Sequence, residues 1–345
     1  MFSLLSSHKL ILSVGTGGVG KTTVSASLAV AAAMAGKKVL VVTIDPSKRL
    51  KTALGLDDLG TDITKVNLEA KGELYASLLD PKKIFDSFIK KNAKNPELCE
   101  KIFANKLYQN ISSLLAGSQE FTSLEFVLEA YESNRFDLII LDTPPSQHAI
   151  DFLRAPQRFY HLFDDKVVSW FQTNGDIGFL AKIVHSGTKK ATAVLERLVG
   201  KGFLTEIYEF FSLVGSLAGT IQRRSIEAQN LLSSPEAAFC LVSSFDPIKT
   251  VEAKELYRLL KREGYSLRAV VMNRAFPFIE NTDSMPKDFL AVYNDLAERF
   301  KEQKLLQRSM LEEIAGDVAY LSIPEQDFEI SSLEALKTLS QSIFI

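Results

Sequence analysis

Short, uninterrupted apolar runs alternate with helix-like patterns in the first third of the chain. Residues 10–14 and 39–44 have the continuous apolar character of buried strands, and an alanine-rich segment at 21–35 lies between them. Gly36 follows that segment, as is typical of a helix end. A strand, a helix and a second strand in this order predict a parallel sheet with a right-handed crossover.

Later apolar runs predict further strands at residues 73–79, 136–141, 238–243, 267–272 and 319–323, and a last helix at 331–344. Two helix-rich stretches interrupt this series. The pattern therefore predicts an α/β fold with a doubly wound, mainly parallel sheet and an inserted all-helical subdomain. The core is expected at residues 1–81, 118–155 and 235–345, and the helical subdomain at 82–117 and 156–234.

Composition limits the class of partner. The 345 residues carry a formal net charge of −2, with 46% hydrophobic and 24% charged residues. No global basic excess points to nucleic acid or to an anionic membrane surface. The two cysteines, Cys99 and Cys240, are far apart and lack the spacing of a zinc site, so we expect two reduced thiols.

The sequence predicts no stable membrane insertion. Lys9 follows the first apolar residues instead of preceding them, unlike the charge pattern of a secretory signal. The most apolar later stretch, residues 203–221, carries Glu206 and Glu209, which argues against a membrane-spanning helix. A cytoplasmic location is therefore expected.

The segment Gly15-Thr-Gly-Gly-Val-Gly-Lys-Thr22 has the spacing of a phosphate-binding loop, and it lies between a predicted strand and a predicted helix. Glycines allow successive backbone N–H groups to turn toward phosphate oxygens, and the helix N-terminus adds partial positive charge. Lys21 is expected to reach the β- and γ-phosphates, and the Thr22 hydroxyl to bind Mg²⁺. The predicted fold is therefore that of a P-loop NTPase, with nucleotide bound by Gly17, Gly18, Val19, Gly20, Lys21, Thr22 and Thr23.

Two aspartates end predicted strands, where a carboxylate faces the ligand side of such a sheet. Asp142 follows four apolar residues and is expected to hold Mg²⁺, directly or through a water molecule. Asp45 is expected to act with Lys21 in catalysis, by orienting or deprotonating the attacking water. The alternative for Asp45 is a helix N-cap, because Pro46 follows it at a favoured first helical position.

The loop Thr143-Pro-Pro-Ser-Gln-His148 follows Asp142 directly, at the place where a sensor of the γ-phosphate belongs. His148 is therefore a candidate switch residue together with Asp45 and Asp142. The alternative for His148 is an ordinary surface position on a helix.

These segments resemble one family over nearly the whole chain, the ATPases of the arsenical-pump and guided-entry (tail-anchored protein targeting) group in the deviant Walker A class. The loop, Thr43-Ile-Asp-Pro-Ser47 and Asp142-Thr-Pro-Pro-Ser-Gln-His148 resemble the family's phosphate loop, first switch and second switch. Leu115-Ala-Gly-Ser-Gln-Glu120 resembles the turn that re-enters the core. The resemblance implies a Mg²⁺-dependent, dimeric ATPase in which Asp45 is the water-activating acid.

The resemblance also extends to the adenine side of the site. Val270-Val-Met-Asn-Arg274 resembles the segment whose asparagine contacts adenine, and Ile323-Pro-Glu325 resembles the other base-side loop. Asn273 would then bind the adenine edge, and Pro324 would lie near the base. The guanine-specific pattern [NT]-K-x-D is absent from the sequence, so ATP is expected over GTP. The alternative for Asn273 is a turn at the end of a strand.

Two departures from the family pattern change the expected activity. Thr16 stands where the class-defining lysine is expected, a residue that in the family reaches across a dimer to phosphate. A cation acting in this way is worth about 10³- to 10⁵-fold in rate, so we expect slow hydrolysis. The CxxC pair that holds zinc in eukaryotic members is also absent. The chain thus resembles a bacterial subgroup that lacks both features.

An apolar stripe recurs at spacings of three and four residues in the second helix-rich stretch. It could line a groove for an apolar client helix, or it could be ordinary core. Its members are Phe203, Ile207, Phe210, Phe211, Val214, Leu217, Ala218 and Ile221.

The leading hypothesis is a dimeric Mg²⁺-ATP-dependent switch ATPase that binds or targets a hydrophobic or membrane-protein client, such as the apolar helix of a membrane protein. The alternative is an ATP-binding regulatory or scaffold protein with weak or no hydrolysis, acting in a heterodimer with a paralogous subunit. A third hypothesis, a partition ATPase acting on DNA or membrane, is disfavoured by the net charge of −2.

Overall fold

A computed structural model describes most of the chain. The described residues are 2–44, 49–56, 62–105, 108–109, 118–144, 146–164, 209–275, 285–312, 318–326 and 330–342.

Within these residues eight strands form one sheet. They are β1 (Leu10–Gly15), β2 (Lys38–Thr43), β3 (Thr64–Lys65), β4 (Glu73–Leu78), β5 (Leu138–Asp142), β6 (Ala237–Ser244), β7 (Leu267–Ala275) and β8 (Ala319–Pro324). Their order is β3-β4-β2-β5-β1-β6-β7-β8. Only the β3–β4 pair at one edge is antiparallel. The predicted α/β fold with a mainly parallel sheet is confirmed.

The described helices flank or follow these strands. They are α1 (Phe2–Ser7), α2 (Lys21–Met34), α3 (Arg49–Ala53), α4 (Pro81–Asn92), α5 (Pro96–Ala104), α6 (Ser118–Glu132), α7 (Ser146–Leu162), α8 (Ala218–Leu232), α9 (Pro247–Arg262), α10 (Lys287–Glu312) and α11 (Leu333–Ser342). The strand β3 and the helix α1 had no counterpart among the sequence predictions. β3 is two residues long, and α1 is ordered by burial of Leu4 and Leu5 against the core, which no local pattern encodes.

Helix α2 is the central helix on one face of the sheet. Every residue from Val24 to Ala33 is buried, because small side chains let the helix lie close to β1, β2 and β5. Helix α11 packs beside it. The chain moves from β1 to β2 toward one edge of the sheet and from β6 through α9 to β7 toward the other. Right-handed connections then place α2 and α9 on opposite faces, as in a doubly wound fold.

The chain divides into two compact units. The core unit comprises Met1–Leu79, Val127–Phe152 and Leu231–Ile345, and the helical unit comprises Asp80–Phe126 and Leu153–Asn230. One boundary lies between Leu79 and Asp80, just before α4, and the other three fall within α6, α7 and α8. The sequence-based domain limits, and their assignment to an ATPase core and a helical subdomain, stay a prediction.

Helices α4 and α5, the first two of the helical unit, each begin with a capping side chain followed by a proline. Asp80 accepts hydrogen bonds from the backbone N–H groups of Lys82 and Lys83, and a proline follows it. Asn95 accepts one from the N–H of Leu98 and is likewise followed by proline. Each cap satisfies donors that the first helical turn leaves open, so the sequence starts both helices locally.

The described part of the apolar stripe lies in the core of the helical unit. The buried cluster contains Phe210, Phe211, Val214, Leu217, Ala218 and Ile221. These residues are therefore core and line no open groove. Phe203 and Ile207 lie outside the described residues. No helix in the described ranges is both long and apolar enough to cross a bilayer.

Candidate nucleotide-binding site

The phosphate loop runs from the end of β1 to the start of α2, at the carboxyl edge of the sheet. Gly18 and Gly20 have φ angles of +78° and +87°, which favour glycine and let the chain curl. Gly15 lies so close to β6 that a Cβ atom there would overlap the carbonyl oxygen of Val242. Geometry thus favours glycine at all three positions, whereas the motif itself specifies only Gly15 and Gly20.

Lys21 is folded against the loop from which α2 starts. It is 8% exposed, and its Nζ donates to the carbonyl oxygens of Gly15 (3.1 Å) and Thr16 (2.8 Å). These bonds hold a positive charge beside the loop, where a nucleotide phosphate would bind.

Thr16 occupies the position at which the family pattern has a lysine. Its side chain is fully buried, and Oγ1 has no hydrogen-bond partner among the described residues. A short buried hydroxyl cannot extend to a second subunit. Position 16 therefore supplies no cationic side chain of its own.

The expected Mg²⁺ residues are in direct contact. Strands β1 and β5 are neighbours, and the Thr22 hydroxyl at the start of α2 donates to Asp142 Oδ2 at 2.6 Å. Asp142 is 2% exposed. Hydroxyl and carboxylate oxygens are the ligands that Mg²⁺ prefers, so this donor set fits the ion.

Thr43 is a residue of this site that the sequence interpretation did not assign. It ends β2 opposite Asp142, and its Oγ1 donates to the same carboxylate oxygen at 3.0 Å. The sequence could not assign this role, because it depends on β2 lying next to β5. Directly after Asp142, the Thr143 hydroxyl donates to the Ser13 carbonyl oxygen at 2.8 Å and fixes the start of the following loop.

The two residues expected near adenine lie on neighbouring strands at the same edge. Asn273 is 9% exposed, and its Nδ2 donates to the carbonyl oxygen of Val19 at 2.9 Å. Pro324 ends β8 in register with Ala275, and the N–H of Glu325 donates to the Ala275 carbonyl oxygen at 2.7 Å. The structure therefore brings Asn273 to the phosphate loop, a contact that the sequence did not predict.

The structure describes only some of the other residues that the sequence analysis assigned to the site. Asp45 lies outside the described residues, as does the segment 110–117 that contains the first half of the re-entry turn. The backbone of His148 belongs to α7, but its side chain is outside the description. The roles of Asp45 and His148 stay predictions. The loop glycines, Val19, Lys21, Thr22 and Thr23 are all described at the carboxyl edge.

Comparison with known proteins supports the assignment of this site. Residues 8–344 match the family model described as "Anion-transporting ATPase". The chain is 25% identical to "Putative arsenical pump-driving ATPase 2" of Aquifex aeolicus, over 95% of this chain and 96% of that protein. It is 23% identical to "ATPase get3" of Schizosaccharomyces pombe, over 98% of this chain and 92% of that protein. The chain therefore belongs to the anion-transporting ATPase family and is an ATPase that uses ATP and Mg²⁺.

Proposed function

We propose that this ATPase is a slow, dimeric switch that binds or targets a hydrophobic or membrane-protein client, and that it acts in the cytoplasm. The observation that supports the switch is the shared contact of Thr22 and Thr43 with Asp142. This contact joins the phosphate loop, the end of β2 and the end of β5. Asp45 lies two residues after Thr43, and His148 lies six after Asp142, so both proposed switches start from this network.

The proposed reaction is in-line attack of water on the γ-phosphorus of ATP, which breaks its bond to the β,γ-bridging oxygen and releases ADP and phosphate. Lys21 and the loop N–H groups bind the phosphates, Thr22 and Asp142 would hold Mg²⁺, and Asp45 orients the water and accepts its proton. Bound Mg²⁺ supplies charge neutralisation at the β- and γ-phosphate oxygens. Asn273 and Pro324 are proposed to bind adenine. The buried Thr16 leaves the reaction without the added cation, which supports slow turnover.

The Lys21→Ala variant tests the assignment of the loop. We expect turnover to fall by about 10³-fold or more, since the variant loses the charge nearest the transferred phosphoryl group. Phosphate release from Mg²⁺-ATP by the pure protein measures this. Lys71→Ala, at an exposed lysine away from the loop, is the matched control and should keep full turnover. Turnover of Lys21→Ala equal to that of the wild type would refute the assignment.

The client is tested with a purified membrane protein that carries one carboxyl-terminal apolar helix. We expect it to co-elute from a sizing column with Asp45→Asn loaded with Mg²⁺-ATP, because blocked hydrolysis should retain the client-bound state. The same client with two aspartates placed in its helix is the control. Equal recovery of both forms, or of neither, would contradict recognition of an apolar helix.

A second candidate function is an assembly switch with a paralogous subunit that supplies the missing cation. The burial of Thr16 favours it. Mixing the chain with such a paralogue from the same genome should raise turnover by at least about tenfold, within the range that an added cation can supply. Unchanged turnover, with Thr16→Lys raising the rate of the chain alone, would favour a homodimer.

A further inference from the structure

The end of β7 makes a long-range contact with the phosphate loop. Asn273 Nδ2 donates to the carbonyl oxygen of Val19 at 2.9 Å, and both residues are buried. The two are separated by 254 positions in sequence. A carbonyl oxygen only accepts hydrogen bonds, so the amide nitrogen is the atom of Asn273 that satisfies it.

The same amide lies against the next residue of the loop. A Cβ atom on Gly20 would overlap Asn273 Nδ2. Gly20 also has a φ of +87°, which favours glycine. The absence of a side chain at Gly20 therefore serves two purposes, since it permits the turn of the loop and leaves room for the asparagine.

An irregular strand end delivers Asn273 to this position. Met272 pairs with Ser322 and Ala275 pairs with Pro324, so β7 advances three residues where β8 advances two. Within this irregularity Arg274 has a φ of +56°, which side-chain-bearing residues rarely adopt. Such irregularities re-aim side chains near functional sites.

The planarity of the peptide unit gives this contact a consequence for phosphate binding. The Val19 C=O and the Gly20 N–H belong to one trans peptide and point in opposite directions. Fixing the carbonyl toward Asn273 therefore fixes the Gly20 N–H on the opposite side. An N–H that is oriented before the ligand arrives binds an anion without the cost of ordering the loop.

We propose that Asn273 is a positioning residue for the phosphate loop, holding the Val19–Gly20 peptide in its anion-binding orientation independently of any contact with the base. This role rests on the proposed phosphate-binding function of the loop. The strand end that carries Asn273 also contacts the proposed base-side segment. The Ala275 carbonyl oxygen, two residues after Asn273, accepts from the N–H of Glu325 in the proposed base-side segment.

The test compares Mg²⁺ complexes of ATP, GTP and inorganic tripolyphosphate, the last of which has no base. For Asn273→Ala we expect affinity for tripolyphosphate to fall about tenfold, the usual effect of removing a buried hydrogen bond, and affinities for ATP and GTP to fall by at least that factor. Asn273→Asp should lose at least as much, because a carboxylate would face the Val19 carbonyl. Asn294→Ala, at an exposed asparagine of α10, is the matched control, with affinities expected within about twofold of the wild type.

A second measurement needs no ligand. Hydrogen exchange of the loop amides at residues 17–20 should be about tenfold faster in Asn273→Ala than in the wild type, since the bond that orders them is lost. Amides of β2 should exchange at the wild-type rate. Loss of ATP affinity alone, with tripolyphosphate affinity and loop exchange unchanged, would overturn the proposal and leave Asn273 as a base contact. If Lys21→Ala bound ATP and tripolyphosphate with wild-type affinity, the proposed phosphate-binding function of the loop would be wrong. The positioning role of Asn273 would then be wrong as well.

Discussion

The cluster on the α2 side of the core unit's sheet and the cluster inside the helical unit differ in side-chain chemistry. The described cluster between the sheet and helices α2 and α11 contains only aliphatic side chains and Cys240. In the helical unit, eight of the fourteen buried members of the described cluster are Phe or Tyr. Both interiors are apolar, so the difference reflects geometry and not hydrophobicity.

Sheet and helix packing explains the aliphatic cluster. Branched side chains fill a pleated surface well, and the alanines of α2 permit the helix to approach it closely. Helices that cross one another leave less regular gaps, which large flat rings fill. Phe121 and Phe159 stack with ring centroids 4.4 Å apart and an interplanar angle of 5°. The rigid sheet therefore supports the polar network at its edge, while the described helical unit depends on a few large side chains.

Removing one of those rings should have the largest effect on stability. Phe159 is 3% exposed and stacks on Phe121. For Phe159→Ala we expect a loss of about 4 kcal/mol in the free energy of unfolding, from lost burial and an unfilled cavity. Urea unfolding followed by circular dichroism measures it. Phe289→Ala, at a phenylalanine that is 57% exposed, is the control and should cost far less. Equal losses of unfolding free energy in the two variants would show that the buried ring of Phe159 stabilises the protein no more than the exposed ring of Phe289.

The helical unit also contains a buried ion pair. Arg224 Nε donates to both carboxylate oxygens of Glu125, at 3.0 and 2.9 Å, and Arg224 also pairs with Glu227. Glu125→Gln keeps the shape but leaves less charge beside a buried guanidinium. We expect it to cost about 2 kcal/mol of unfolding free energy, below the usual range for broken buried pairs because Glu227 remains.

The double variant Glu125→Leu with Arg224→Met sharpens this prediction. An apolar pair of similar volume should recover most of the lost stability, because neither charge then needs solvation. Chemical unfolding of both variants under the same conditions measures the recovery. A double variant at least as unstable as Glu125→Gln would indicate that the pair itself stabilises the unit.

In the core unit the sharpest test is Thr43→Val, which removes a hydroxyl donor to Asp142 at nearly constant volume. We expect the Mg²⁺ concentration for half-maximal ATP hydrolysis to rise about tenfold, as for other groups that orient a metal ligand. Thr43→Ser keeps the hydroxyl and should restore the wild-type value. If Thr43→Ser raises this Mg²⁺ concentration as much as Thr43→Val does, the packing of the Thr43 methyl group, and not its hydroxyl, is what the site requires.

The smallest effect concerns the two thiols. Complete burial raises the pKa of the Cys240 thiol from 9.0 to about 12, whereas Cys99 is partly exposed in the helical unit. At pH 8 a thiol reagent should modify Cys99 of the native protein quickly and Cys240 only on unfolding. Because Cys240 ionises more readily in the unfolded chain, stability should fall as pH rises above about 9. Fast labelling of the native Cys99→Ala variant would contradict the burial.

Sequence alone determined those features whose causes are local. The phosphate loop is one contiguous segment, and its glycines, Lys21 and Thr22 can be assigned without knowledge of the fold. Buried strands appear as apolar runs, and all seven strands predicted from them are present with small shifts at their ends. The same local signals leave some functions open. Asp80, Asn95 and Asp246 each precede a proline and cap a helix, so the Asp45-Pro46 pair by itself cannot separate a catalytic acid from a cap.

Only the tertiary structure decided which of these local features meet. Thr43 reaches Asp142 because β2 lies beside β5, and Asn273 reaches Val19 because an irregular strand end turns it toward the loop. It also placed the described stripe from Phe210 to Ile221 in a core, which helical spacing alone cannot distinguish from a groove. The physical reason is common to all three. A hydrogen bond or a buried contact depends on the separation of atoms in space, and strand order and helix packing set that separation for residues far apart in the chain.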